Sequence, residues 1–285
     1  MAAPTPLEDP LSALAWLVEA GADEAIGEVP VDRFVARPAA APAVAQPRPA
    51  AAATTVAPAA LKPAAPRPVA ARPGAPAPTV DPSDNIGTAQ ALARAAGSLP
   101  ELKAALEGFD GCALKQRATT TVFADGNPLS RILFIGEAPG RDEDARGLPF
   151  VGRAGKLLDK MMAAIKLDRS SAYITNVINW RPPDNREPSP EEAAMCLPFL
   201  RRHIELVNPV VIILLGAVAV RHVMGRSDGI MKTRGRWLEY NVNGDMVAVM
   251  PTLHPAYLLR QPAHKKLAWR DLQAVAQKIE SVRKA

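Results

Sequence analysis

The chain has 285 residues, enough for one or two domains, but its 29 prolines are unevenly spread and not all of it can pack into a core. Its 34 Lys and Arg against 29 Asp and Glu leave a formal charge of +5, which mildly favours an anionic partner without identifying one. Two cysteines, Cys112 and Cys196, are too few for a disulfide framework or a four-thiolate site, and no segment approaches the roughly 20 apolar residues that span a bilayer, so a cytoplasmic protein in a reducing compartment, with no membrane association, is expected.

Residues 1–36 carry Leu11, Leu14, Trp16, Leu17, Val18 and Ile26 at helical spacing. This predicts a short amphipathic helix. Such a helix is marginal alone, so it either docks on its own domain or binds a protein partner. Residues 37–84 are almost entirely Ala and Pro, with scattered Val, Thr and Arg. With little to bury and many backbone donors removed, this stretch is expected to be a disordered, polyproline-like linker. Its Arg37, Arg48, Lys62, Arg67 and Arg72 read as solvated spacing more than as a DNA contact.

A folded domain is expected over 85–285. Ser98-Leu99-Pro100-Glu101 is a helix start, with a capping Ser and a Glu three residues on, and the helix should run to about Glu107. Arg131–Ile135, Ala172–Ile178, Val210–Leu215 and Met246–Met250 are short, apolar, β-branched runs that read as buried strands. Helical patterns lie between them at Gly155–Ala164, Pro190–Val207 and Ala217–Met224. Strand alternating with helix predicts an α/β fold with a parallel sheet covered on both faces. Ligands of such folds sit at the carboxyl ends of the strands.

Each run feeds a polar turn at that edge. The first reads Gly136-Glu137-Ala138-Pro139-Gly140-Arg141-Asp142-Glu143-Asp144, followed by Pro149-Phe150-Val151-Gly152-Arg153-Ala154-Gly155. Glycines let a backbone approach a flat ligand, although three acids after a strand also suit a solvated turn. Thr175-Asn176-Val177 sets an amide in a strand, where it is costly to bury without partners; it can read a pyrimidine edge or tie down a loop. His254-Pro255-Ala256-Tyr257-Leu258-Leu259-Arg260 pairs a His held in an extended turn with two leucines that suit a wedge into a base stack and an Arg that suits phosphate.

Together with Arg181-Pro182-Pro183 and Asn185-Arg186, these segments resemble the uracil-DNA glycosylase superfamily, most closely its family 4, over about Leu99–Ile279. The resemblance implies a three-layer α/β/α sandwich around a four-stranded parallel sheet. It also implies base flipping, in which a deoxyuridine from uracil-containing DNA enters a tight pocket. By the same resemblance Gly136 and Ala138 line the pocket, Phe150 stacks on the uracil and Asn176 bonds its Watson–Crick edge. His254 would stabilise charge on O2, Glu137 would face the sugar or the attacking water, and Glu143 and Asp144 would support that loop or the water.

Because breaking the bond sends electrons into the base and leaves positive charge on the sugar, donors near the base and a carboxylate near the deoxyribose suit the chemistry. Leu258, Leu259 and Arg260 are expected at the DNA, as are Lys232, Arg234 and Arg236 of a basic loop over Arg226–Arg236, which His264, Lys265, Lys266 and Arg270 would extend. No lysine is placed for strand cleavage, so a monofunctional enzyme is expected, and separately a monomer. The rival reading is a non-catalytic binding protein for uracil-DNA or single strands; a phosphoryl-transfer site would want a glycine-rich loop with a lysine that Gly136–Gly140 lacks.

Family 4 members carry a cubane iron–sulfur cluster on four cysteines. Here Cys112 and Cys196 match the second and fourth, but Phe109 stands at the first and Trp180 at the third. Two thiolates cannot hold a four-iron cluster in the usual way, so no metal cofactor is expected and apolar packing should fill the space. Between Arg181 and Pro190 there is no His. The covalent attachment to DNA made by one branch of the superfamily through a histidine there is therefore not expected.

Overall fold

The computed structural model describes residues 82–284. The expected N-terminal helix and nearly all of the Ala/Pro-rich stretch lie outside these residues. Helix α1 (Pro82–Ala95) begins three residues before the expected domain start. It leads to α2 (Leu99–Gly108), where the Ser98 side chain accepts the Glu101 amide as the sequence predicts.

The sheet is built from β1 (Asp125–Gly126), β2 (Ile132–Gly136), β3 (Tyr173–Asn176), β4 (Val211–Leu215), β5 (Leu238–Val242) and β6 (Asp245–Thr252), in the order β1-β3-β2-β4-β6-β5. The four inner strands are the four apolar runs, and they pair parallel. The expected four-stranded sheet is nevertheless corrected to a mixed, six-stranded one, because β1 and β5 add antiparallel edges. β5 joins β6 through Asn243-Gly244, with φ of 55° and 99°. Two consecutive positive φ values suit the right-handed twist of a tight hairpin.

Alternation along the inner strands divides the core in two. Leu133, Ile135, Ile212, Leu214 and Val249 face α1, α2 and α5 (Pro190–Val207). Ile132, Phe134, Ile174, Ile213 and Met250 face α4 (Arg153–Ala163) and α9 (Lys265–Lys284), which contribute Leu158, Met162, Val275 and Ile279. Both faces of the parallel strands are therefore dry, which explains why their sequences read as continuous apolar runs. Helix α5 starts on a reciprocal cap: Ser189 accepts the Glu192 amide at 3.2 Å while the Glu192 carboxylate accepts the Ser189 amide at 2.8 Å.

The shorter helices sit at the strand ends: α3 (Arg141–Arg146) after β2, α6 (Ala217–Met224) after β4, α7 (Ile230–Thr233) before β5, and α8 (Pro255–Arg260) after β6. Among the described residues no helix is long and apolar enough to cross a membrane.

Candidate active site at the carboxyl edge of the sheet

The parallel register sets Gly136 beside Asn176 at the carboxyl ends of β2 and β3, and Leu215 beside Thr252 at those of β4 and β6. A cleft of about 440 Å³ opens at this edge. Its walls include Glu137, Ala138, Phe150, Asn176, His254 and Arg260, so three separate sequence motifs converge on it.

Gly136 is glycine for a contact reason. A Cβ there would lie 2.4 Å from Asn176 Oδ1 and 2.5 Å from the Phe150 ring, so any side chain would displace both. Asn176 is 2 % exposed, and its Oδ1 has no hydrogen-bond partner among the described residues. A buried acceptor left unpaired costs about 1–3 kcal/mol, and a ligand N–H in the cleft would recover it.

Phe150 is held with φ of 55°, unusual for an aromatic residue, and its ring centroid lies 5.5 Å from that of His254. Its backbone fits there because Gly155 of α4 has no side chain: a Cβ on Gly155 would stand 1.7 Å from the Phe150 carbonyl oxygen.

His254 caps α8, with Nδ1 accepting the Ala256 amide at 3.1 Å. The ring proton therefore belongs on Nε2, which is left free to donate. Burial, and then the nearby Arg260 charge, lower its pKa to about 4, so the ring is neutral near pH 7. Glu137 follows β2 directly. Burial and the charge of Glu187 push its pKa up, while Arg221 and Arg260 pull it down. Glu187 and Arg221 pair at 2.5 Å.

The remaining predicted residues divide. Glu143 reaches the cleft, but its oxygens are occupied: one accepts the amides of Val151 and Gly152, both at 2.9 Å, and the other accepts the Gly140 amide at 3.1 Å. It laces the first loop to the second. Asp144 is buried and accepts the amides of Thr119 and Thr120 at 2.8 and 3.1 Å. It does not line the cleft, and its carboxylate instead ties down the Thr119–Thr120 backbone.

Leu259 is exposed beside Arg260, but Leu258 is 1 % exposed and packs with Leu253 and Leu272. The expected pair of wedge leucines is thus one surface leucine and one core leucine, because successive residues of a helix cannot share a face. Lys232 and Arg236 are exposed, whereas the partly buried Arg234 pairs with the buried Asp271 and donates to the Leu267 carbonyl at 2.7 Å. That pairing turns Arg234 inward, unlike its two exposed neighbours in the expected DNA-facing set. Tyr257, quoted in the motif without a role, lines the cleft and bonds His264 Nδ1 through its hydroxyl at 2.7 Å. Asn185 and Arg186 line it too. Their signal was the Arg-Pro-Pro and Asn-Arg run.

Away from the cleft, Phe109, Cys112, Trp180, Cys196 and Phe199 are all buried in one core cluster. The Phe109 and Phe199 rings lie 5.4 Å apart, and Trp180 Nε1 donates to Thr121 Oγ1 at 3.0 Å. The two thiols are free and buried, and the neighbouring Cys112 thiol together with burial pushes the Cys196 pKa up. A Cβ on Gly111 would lie 2.4 Å from the Phe109 ring, so the turn between Phe109 and Cys112 is shaped around an aromatic side chain.

The family model "Uracil DNA glycosylase superfamily" matches residues 123–273. A type-4 uracil-DNA glycosylase of Thermotoga maritima is 44% identical over 155 residues, covering 54% of this chain and 79% of its own. That of Archaeoglobus fulgidus is 44% identical over 155 residues, covering 53% and 78%. That of Sulfurisphaera tokodaii is 38% identical over 183 residues, covering 62% and 83%. The cleft motifs all fall inside the matched region, and the chain belongs to the uracil DNA glycosylase superfamily, within its family 4.

Proposed function

We propose that this chain is a uracil-DNA glycosylase that hydrolyses the N-glycosidic bond of deoxyuridine in DNA, releasing uracil and leaving an abasic site for base excision repair. The observation that carries the reading is Asn176 Oδ1, a buried acceptor without a partner on the wall of a cleft that also holds Phe150 and His254. Uracil supplies what it lacks: its N3–H donates to Oδ1, and its O4 accepts from Nδ2. Phe150 stacks on the ring, and Gly136 and Ala138 let the base lie close.

In this reading the neutral His254 donates from Nε2 to O2 as the bond breaks, where negative charge grows and a preset donor is most effective. The Glu137 carboxylate faces the deoxyribose or orients water. Arg260 meets the phosphate backbone and Leu259 enters the base stack vacated by the flipped nucleotide. Lys232 and Arg236 add phosphate contacts. Among the described residues no lysine or cysteine lines the cleft, which favours water as the nucleophile over a covalent lyase route.

The iron–sulfur cluster of the family does not fit the residues present. Two of its four thiolate positions are the buried rings of Phe109 and Trp180, and the Trp180 N–H is satisfied by Thr121. We therefore read this domain as a cluster-free member of family 4, acting on DNA in the cytoplasm. Iron and acid-labile sulfide near four per protein in material purified without oxygen would overturn that.

The main test is uracil release from a single-uracil oligonucleotide, with abasic sites revealed by alkali cleavage, for the wild type, Asn176→Ala and His254→Ala. Release by the wild type and loss in both variants is the expected result. Retained binding without release by the wild type would turn the reading to a non-catalytic DNA-binding protein.

A further inference from the structure

Phe150 is gripped from behind by a residue that does not touch the cleft. Arg169, in the loop before β3, donates from Nη2 to the Phe150 carbonyl at 2.5 Å and from Nη1 to the Pro149 carbonyl at 3.1 Å. The same guanidinium is held by Asp125 of β1 and, through Nε at 3.0 Å, by Asp159 of α4. Its loop is itself fixed, since Asp168 Oδ1 accepts the Ser170 and Ser171 amides, both at 3.0 Å. Beyond Phe150, Glu143 takes the Val151 and Gly152 amides. A cation thus holds the two carbonyls on one side of Phe150, and a carboxylate holds the two amides on the other.

We infer that Arg169 is a positioning residue for uracil excision, which, with Glu143 opposite, clasps the backbone of Phe150 in its left-handed conformation and so fixes the ring against the base. A non-glycine residue at positive φ persists only where its surroundings enforce it. Without Arg169 two carbonyls lose a charge-assisted partner and the segment can relax toward an ordinary φ, which swings the ring away from Gly136. The fork geometry matters: lysine cannot bridge two carbonyls and two carboxylates at once.

The inference rests on Phe150 being the stacking wall, and a double-mutant cycle separates the two. Single-turnover uracil release is measured for the wild type, Arg169→Gln, Phe150→Ala and the double variant, together with inhibition by free uracil and the unfolding midpoint of each. Misplacing the ring by about 1 Å should slow Arg169→Gln by about 10- to 100-fold and weaken uracil inhibition in proportion. In the Phe150→Ala background the same change should slow release no further than about twofold, because the ring it positions is gone. Equal fold-losses in both backgrounds would overturn the clasp, as would an unchanged rate in folded Arg169→Gln. Full activity in Phe150→Ala alone would instead refute the stacking wall. Should Arg169→Gln fail to fold, Asp159→Asn, which frees one hold on the guanidinium from a half-exposed position, enters the same cycle with the same two outcomes and a smaller loss.

Discussion

Asn176 and Trp180 stand four residues apart and are both buried, yet they are opposites. Asn176 ends β3 with an acceptor that nothing among the described residues satisfies, while Trp180 donates its single N–H to Thr121 and packs with Phe109, Cys112, Cys196 and Phe199. The first arrangement is unfavourable until something enters the cleft. The second is already complete. The contrast separates function from stability: an unmet polar group marks where a ligand belongs, and a met one marks where the fold is held.

The most severe way to break that contrast is Trp180→Ala. Deleting so large a buried side chain should lower unfolding free energy by about 3–5 kcal/mol in urea melts, while the folded fraction still excises uracil at near the wild-type rate. A stable protein with lost excision would mean that the two regions are one machine. Asn176→Ala should do the reverse. Removing a group matched to the reacting base should slow release by about 10²–10³-fold, with the melting midpoint unchanged or raised because an unpaired buried acceptor has gone.

The same logic divides two adjacent leucines. Leu258→Ala should destabilise by about 2–3 kcal/mol with activity following the folded fraction, whereas Leu259→Ala should leave the urea midpoint within about 0.5 kcal/mol of wild type. Leu259→Ala should slow excision from duplex DNA more than from single strands, where there is no stack to enter. Equal effects on the two substrates would remove Leu259 from the DNA.

Smaller effects follow from charge. Burial holds His203 at about 3, and burial with Arg260 holds His254 at about 4. On unfolding both return to about 6.5. The unfolded chain therefore takes up protons first, so their contribution to stability is full above about pH 6.5 and is lost as pH falls toward 4 and then 3. Urea midpoints at pH 7.5 and 5.5 should show the decline, and identical midpoints would mean that both rings are charged in the folded protein. His254 remaining neutral through mild acid leaves Glu137 to set the acid limb of activity. Glu187→Gln should move that limb to lower pH and Arg221→Gln to higher pH, each by about half a unit or less, because the pair is partly solvated.

Much of this was legible in the sequence, for a physical reason. Strands buried on both faces are continuous apolar runs, so the four parallel strands declared themselves, and Pro190–Val207 was bounded by its cap at Ser189. The β5–β6 hairpin was also written there, in an alternating Leu238–Val242 followed by Asn243-Gly244, but the expectation of a purely parallel sheet left it unread. Helix α9 was missed although Leu272, Val275 and Ile279 recur at helical spacing. Other features have no local signal. Arg234 meets Asp271 across 37 residues of chain, and only that meeting turns a basic loop residue inward. The Arg169 grip on Phe150 is likewise invisible until the loops converge.

The aromatic filling around Phe109 and Trp180 has a further consequence for how this domain is made. In the cluster-free reading proposed above, the polypeptide itself supplies the groups that fill this part of the interior, so maturation would need no delivery of iron or sulfide. Protein diluted from urea should regain excision activity to the same extent in the presence of a strong iron chelator, at a rate independent of its own concentration.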